Sequence, residues 1–103
     1  MFDIKKIYFK LNNYEINIDV NDICKITYNG KSKTIKKEEI VENLINIVKI
    51  TFDWKCEYID RRYIDGNNWE LVIDNKKYRG HAKYPSKFET LENQFELIID
   101  KLI

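Results

Sequence analysis

The sequence predicts an α+β protein, in which an antiparallel β-meander or sheet of about six or seven strands carries two amphipathic helices over about 37–51 and 87–102. Two patterns indicate this class. Apolar and polar residues alternate through the first 35 residues, which is the period of half-buried strands. Later, apolar residues recur every three or four positions, which is the period of helices packed on one side. A chain of 103 residues has the length of one domain, so we expect residues 1–103 to form a single α+β domain.

The first four strands are predicted to form a meander, because three short turn sequences separate them. These are Asn12-Asn13, Asn21-Asp22 and Asn29-Gly30. Asparagine tolerates left-handed backbone, and Asn-Gly is the strongest short hairpin signal. The alternating residues between the turns are predicted to face the core: Ile7, Phe9, Leu11, Tyr14, Ile16, Ile18, Val20, Cys24, Ile26 and Tyr28.

The segment over about 37–51 is the first predicted helix. Glu38 and Glu39 lie in its first turn and Lys49 near its last, as the helix dipole favours. Its apolar face is formed by Ile40, Val41, Leu44, Ile47, Val48 and Thr51. A strand is predicted after it, because Trp54, Cys56 and Tyr58 alternate with charged residues.

Cys24 and Cys56 are both predicted to be small buried groups on strand faces, rather than nucleophiles. Two cysteines give no disulfide framework, and they fit a reducing compartment. No apolar run approaches the roughly 20 residues of a membrane span, and the first residues lack a signal-peptide core. We therefore expect a cytoplasmic protein without a membrane partner.

The stretch from Trp69 to Tyr84 is predicted to be a hairpin with a two-residue turn at Asn75-Lys76. Large apolar groups then oppose small ones on one side, and opposite charges meet on the other. The predicted apolar pairs are Ile73 with Tyr78, Leu71 with Gly80, and Trp69 with Ala82. The predicted polar pairs are Asp74 with Lys77, Val72 with Arg79, and Glu70 with His81.

The last helix has the clearest signal. Tyr84-Pro85 ends the preceding strand, and Ser86-Lys87-Phe88-Glu89 is predicted to be a capping box in which the Ser86 hydroxyl takes a free amide. Its apolar stripe is formed by Phe88, Leu91, Phe95, Ile98 and Leu102.

Composition excludes several function classes. With 18 basic and 17 acidic side chains, the net charge of +1 argues against a wholly basic nucleic-acid binder and against a wholly acidic DNA mimic. His81 is the single histidine, so a two-histidine metal site is excluded. The three glycines form no phosphate loop. We expect no metal, no cofactor and no enzymatic activity.

Two charged features remain. The segment 76–87 holds five cations and no carboxylate, and Lys77, Arg79, His81 and Lys83 are predicted to project from one strand face. With Arg61, Arg62 and Tyr84 they form a candidate phosphate site. The last helix carries carboxylates down one side: Glu89, Glu92, Glu96 and Asp100. In both cases an ordinary solvated surface is the alternative.

The C-terminal half resembles small uncharacterised proteins of AT-rich bacteria and their mobile elements. The resemblance rests on Asp65-Gly66, Trp69, Leu71, Ile73, Gly80, Tyr84-Pro85, Phe88 and Leu91. It covers about 65–95, and it departs at Ala82, where the pattern has asparagine. The resemblance implies a compact antiparallel sheet with helical cover, and no assigned activity. The small, neutral chain also resembles the inhibitors that phages deploy against host defence systems.

Two functions are therefore predicted. The first is a non-enzymatic protein-binding module, most concretely a phage or mobile-element inhibitor (anti-CRISPR-like) that occludes a nucleic-acid-handling defence effector with Glu89, Glu92, Glu96 and Asp100. The alternative is a protein that binds a nucleotide or a short nucleic acid. It would use Arg61, Arg62, Arg79, His81, Lys83 and Tyr84. The oligomeric state is left open, because unpaired strand edges can pair between copies.

Overall fold

The computed structural model describes residues 4–62 and 66–102. Within these ranges the chain forms seven strands and two helices. The elements are β1 (Lys6–Leu11), β2 (Tyr14–Asp19), β3 (Ile23–Tyr28), β4 (Lys31–Lys36), α1 (Lys37–Thr51), β5 (Glu57–Ile59), β6 (Asn68–Ile73), β7 (Lys76–His81) and α2 (Phe88–Asp100). The predicted α+β class with two helices is confirmed.

The strands form one sheet in the order β4-β3-β2-β1-β6-β7-β5. β1 to β4 are the predicted antiparallel meander, and β6–β7 is an antiparallel hairpin placed beside β1. Only β5 runs parallel to its neighbour, β7, in the part of the chain that the structure describes. The sheet is therefore mostly antiparallel, as predicted.

The core lies between one face of this sheet and the two helices. Alternate strand residues point into it and are almost fully buried, including Ile7, Phe9 and Leu71. The helices contribute Ile40, Leu44, Ile47, Phe88, Leu91, Phe95 and Ile98. The other face of the sheet has no helical cover among the described residues, and polar side chains line it. The protein thus has two layers.

Left-handed residues close the predicted turns of the meander. Asn12 has φ 54°, Asn29 has φ 47° and Gly30 has φ 84°. These conformations suit asparagine and glycine, as two-residue hairpins require. The turn predictions at Asn12-Asn13 and Asn29-Gly30 are confirmed.

The predicted register of the second hairpin is wrong by two residues. The turn is formed by Asp74-Asn75, and the observed pairs include Trp69 with Gly80, Leu71 with Tyr78, Glu70 with Arg79, Val72 with Lys77 and Asn68 with His81. A shift of two keeps every side chain on its predicted face.

Contacts outside the hairpin explain this register. Asp74 has φ 51°, and its Oδ1 accepts hydrogen bonds of 2.9 Å from the backbone amides of Lys5 and Lys6. Its own amide donates to the Lys6 carbonyl at 2.9 Å. The turn is therefore fixed by contact with the chain at the start of β1, which cross-strand pairing within the hairpin does not reveal.

The predicted strand around Trp54, Cys56 and Tyr58 is mostly absent. Only 57–59 are in strand conformation, and Cys56 is exposed, so its assignment to the core is wrong. Trp54 and Cys24 are buried as predicted. Trp54 reaches the core from the segment that follows α1, where its ring packs on Tyr78, Trp69 and other aromatic groups.

The start of α2 also differs from the prediction. Lys87 is the N-cap residue, with φ 65°, and no side chain caps the helix, so the Ser86 capping box is wrong. The Ser86 carbonyl instead accepts a hydrogen bond of 3.1 Å from the indole Nε1 of Trp54. Packing on this tryptophan thus takes precedence over the local capping signal.

Neither helix of the described chain has both the length and the apolar character that a membrane crossing requires.

Candidate functional site

The acidic stripe, defined as Glu89, Glu92, Glu96 and Asp100, lies along one side of α2. The apolar residues of α2 are buried against the sheet, which turns the carboxylates outward. Glu89, Glu96 and Asp100 are exposed, and Glu92 is partly buried. At about 1.5 Å per residue, the stripe extends over roughly 16 Å of helix.

Hydrogen bonds between the two helices fix the rotation of α2. Asn43 of α1 donates from Nδ2 to the Gln94 Oε1 at 3.0 Å. The Lys101 ammonium donates to the Glu39 carbonyl at 2.7 Å and to the Asn43 Oδ1 at 2.9 Å. Gln94 and Lys101 therefore face α1, and the acidic stripe is held on the side away from it.

The stripe carries uncompensated negative charge. None of its carboxylates forms an ion pair or a hydrogen bond with the residues that the structure describes. Partial burial raises the pKa of Glu92, and repulsion from Glu89 and Glu96 raises it further. The charged form of Glu92 is thus disfavoured in the folded protein.

The Glu92→Gln variant should therefore be more stable than the wild type at pH 7. A pKa raised on folding means that ionised Glu92 lowers the free energy of unfolding above that pKa. Like charges at i, i+4 cost about 0.2–0.5 kcal/mol per pair, and we expect a gain of this size. Chemical denaturation at pH 7 and pH 3 measures it, and the gain should vanish at pH 3, where Glu92 is protonated. A gain that persists at pH 3 would contradict this explanation.

Tyr14 lies beneath the stripe. Its ring packs on Phe9 and Tyr28. Burial raises the pKa of Tyr14 well above its usual range, and the charges of Glu96 and Glu92 raise it further. The field of the stripe thus extends to β2, and the phenol stays neutral beside it.

A groove of about 590 Å³ lies where the stripe meets the start of α2. Tyr84, Pro85 and Phe88 form an apolar wall, and Glu89 and Glu92 bring carboxylates to it. Tyr84 is 41% exposed, and its ring centroid lies 4.8 Å from that of Phe88. The groove therefore combines an accessible aromatic ring with negative charge.

Two tryptophans hold the segment that carries Tyr84. The Trp69 Nε1 donates to the Lys83 carbonyl at 2.9 Å, and the Trp54 Nε1 donates to the Ser86 carbonyl. The segment 82–87 begins at Ala82 with φ 54° and ends at Lys87 with φ 65°. Left-handed backbone is unfavourable for both residues, so tertiary contacts must maintain it.

Lys77 and Arg79 of β7 lie on the uncovered face of the sheet, where carboxylates lie near them. The Lys77 ammonium lies 3.6 Å from the Glu70 Oε1, and the Arg79 Nη2 lies 3.4 Å from the Glu57 Oε1. The register also places Glu70 between Lys10 and Arg79. The face is thus a mixed, largely neutral surface, and its exposed ion pairs contribute little to stability.

Arg61 and Arg62 follow β5 and are exposed. Arg62 donates from Nε and Nη2 to the two carboxylate oxygens of Asp60, at 3.0 and 2.7 Å. These bonds, with one from the Arg62 amide, lower the pKa of Asp60 to about 2. The Asp60 carboxylate therefore offsets the charge of this arginine.

The other members of the predicted phosphate site lie in different surroundings, although Lys83 is close enough to Asp60 to help lower the pKa of its carboxyl. His81 lies on the uncovered face, with its Nδ1 hydrogen-bonded to the Asn68 Oδ1. Lys83 lies beyond the end of β7, so its predicted place on the strand face is wrong. Tyr84 packs on Phe88 and belongs to the groove at α2 instead.

Sequence reasoning missed Leu97, which is 41% exposed on α2 beside the acidic stripe. The signal was present, because Leu97 does not fit the three- and four-residue spacing of the apolar stripe. Leu97 lies three residues before Asp100, so it exposes an apolar group beside that end of the stripe.

No group of three or more histidine, cysteine, aspartate or glutamate side chains able to hold a metal ion occurs among residues 4–62 and 66–102. Comparison with known protein families, with curated proteins and with solved structures finds no match to this chain.

Proposed function

We propose that this protein is a non-enzymatic protein-binding module that docks its acidic stripe on a cationic surface of a partner protein. The observation that carries this proposal is that Glu89, Glu92, Glu96 and Asp100 form a row along α2 without any ion-pair partner in the described chain, close enough together for Glu89 and Glu96 to raise the pKa of Glu92.

Electrostatic energy favours such a partner. Partial burial, and then repulsion from Glu89 and Glu96, raise the pKa of Glu92 and so disfavour its charged form; cations brought close to it would favour that form. Charge complementarity of this kind raises the association rate and selects among partners. Leu97, three residues before Asp100, exposes an apolar group at the edge of this surface.

The most concrete form of the proposal is an inhibitor, encoded by a phage or a mobile element, that covers the nucleic-acid channel of a host defence effector. Such channels are lined by cations that neutralise phosphates. The stripe is roughly 16 Å long, which is about the length of five nucleotides along one DNA strand. The protein would therefore compete with nucleic acid for the channel.

The alternative, capture of a nucleotide or short nucleic acid by the cations of β7 and their neighbours, has weaker support. A phosphate would have to displace Glu70 and Glu57 from Lys77 and Arg79. That competition lowers the affinity that these cations can offer.

Displacement of DNA from purified effectors tests the proposal. A panel of CRISPR effector complexes and restriction nucleases is loaded with labelled target DNA, and the protein is titrated in while fluorescence anisotropy is followed. Wild type should displace DNA from at least one effector. The Glu92→Lys/Glu96→Lys variant should require at least about tenfold more protein, which corresponds to about 1.4 kcal/mol.

The matched control is Glu38→Lys/Glu42→Lys on α1, which makes the same change in net charge at the same i, i+4 spacing. It should compete like the wild type, and circular dichroism verifies that both variants are folded. Equal competition by the α2 variant, an equal loss in the control, or no displacement across the panel would refute the proposal.

A further inference from the structure

We infer that the groove at the start of α2 receives an arginine side chain of the partner protein. This inference rests on the proposed function and deepens it, because it names the group that the partner inserts. Three properties of the groove support it: its shape, its chemistry and its rigidity.

The shape and the chemistry fit a long side chain with a planar cationic end. The groove, of about 590 Å³, has Tyr84, Pro85 and Phe88 on one side and Glu89 and Glu92 at its acidic end. The apolar part of an arginine stem packs on rings of this kind, and a guanidinium stacks on an aromatic face. Its fork of donors pairs with carboxylates in a bidentate way that lysine does not reproduce.

The charges around the groove favour a cation over an anion. Glu89 and Glu92 line it, and Glu96 follows one turn later in the same stripe. The start of α2 contributes about half a positive charge. Lys87 is the only cation that lines the groove among the described residues. Its positive charge repels an incoming arginine. Removal of this charge should therefore strengthen arginine binding, whereas removal of a carboxylate should weaken it.

The groove is also rigid before anything binds. Indole hydrogen bonds hold the carbonyls on either side of Tyr84 and Pro85, at Lys83 and Ser86. The Tyr84 ring is supported by Phe88 behind it. Little conformational entropy is lost when a side chain enters a preformed site of this kind.

Titration with short peptides tests the inference. The probes are acetylated Gly-Arg-Gly amide and its citrulline counterpart, which has nearly the same shape without the charge. Binding is followed in ¹H–¹⁵N spectra at the backbone amides of 84–92 and at the two indole resonances, since the chain has two tryptophans. The arginine peptide should give saturable shifts at these positions, and the citrulline peptide should bind at least about tenfold more weakly.

Three substitutions should change the affinity in different directions. Glu89→Gln should weaken arginine binding about three- to tenfold, and Tyr84→Ala should do so to a similar extent, while Tyr84→Phe should retain it. Lys87→Ala should strengthen binding about two- to threefold, because it removes a cation without changing the left-handed constraint at that position. Equal binding of the two peptides, or weaker binding by Lys87→Ala, would overturn the inference.

The effector assay separates this inference from the proposed function. If Glu92→Lys/Glu96→Lys abolishes DNA displacement while Glu89→Gln and Tyr84→Ala leave it unchanged, the arginine inference is wrong and the docking proposal stands. If the arginine peptide binds as expected while wild type displaces no DNA, the groove is an arginine-binding site and the proposed function is wrong.

Discussion

Replacing Phe95 by alanine should lower the free energy of unfolding by about 3–5 kcal/mol, because the ring lies at the centre of the contact between α2 and the sheet. Phe95 is fully buried, and its ring stacks on Phe9 of β1 with a centroid separation of 4.8 Å and an interplanar angle of 6°. Removal leaves a cavity that a rigid sheet cannot close. A domain of this size has about 5–15 kcal/mol of stability in total.

Thermal and urea denaturation followed by circular dichroism measure this loss. The melting temperature should fall by roughly 12–25 °C. Leu97→Ala, in the same helix but 41% exposed, serves as the control and should cost less than about 1 kcal/mol. Similar losses in the two variants would show that α2 does not pack on the sheet as described.

The second large effect is expected for Gly80→Ala. Gly80 lies directly opposite Trp69, and a Cβ at this position would overlap the indole Nε1 and lie 2.8 Å from the Lys83 carbonyl oxygen. The indole would have to move and would lose its hydrogen bond to Lys83. Overpacking and a buried unpaired donor together cost about 2–4 kcal/mol.

A double-mutant cycle with Trp69→Phe tests this mechanism. Phenylalanine already lacks the indole N–H donor, so the hydrogen bond to Lys83 is lost only once in the double variant, which should lose less stability than the two single variants added together. Gly30→Ala is the control, because Gly30 has φ 84° and nothing within 4 Å of an added Cβ. That variant should cost about 1 kcal/mol from backbone strain alone. Strict additivity of Gly80→Ala and Trp69→Phe would refute the steric explanation.

The net charge of +1 conceals an uneven distribution of charge in the folded chain. Lys77 and Arg79 of β7 lie beside carboxylates of neighbouring strands, whereas no carboxylate of the acidic stripe on α2 forms an ion pair with a described residue. The surface that looked basic in the sequence is therefore compensated in part, whereas the acidic stripe presents one sign of charge to solvent.

Local patterns in the sequence predicted the elements well because each is a local property of the chain. Alternation identifies strands, since side chains change face at every residue, and turn residues such as Asn12, Asn29 and Gly30 mark their ends. The first helix was predicted at its observed bounds, 37–51. The spacing of the four carboxylates along a helix was enough to predict the acidic stripe, so its members could be named without a structure.

Predictions that depended on distant contacts failed. The register of β6–β7 is set by the bonds of Asp74 to β1, and the start of α2 is set by the bond from Trp54 to Ser86. Cys56 alternates correctly for a core residue, yet the strand begins one residue later and leaves it exposed. In the first two cases a partner far away in sequence outweighed a local preference of about 1 kcal/mol.

The sequence alone determined the α+β class, the meander, the two helices and the acidic side of α2, because hydrophobic periodicity and turn residues act within a few positions of the chain. Only the tertiary structure decided which charges are neutralised, that Tyr84 lies beside Glu89 rather than beside Arg79, and that a groove opens there. The physical reason is that ion pairing and groove shape depend on distances between segments, which the order of strands in the sheet and the packing of α2 against it determine.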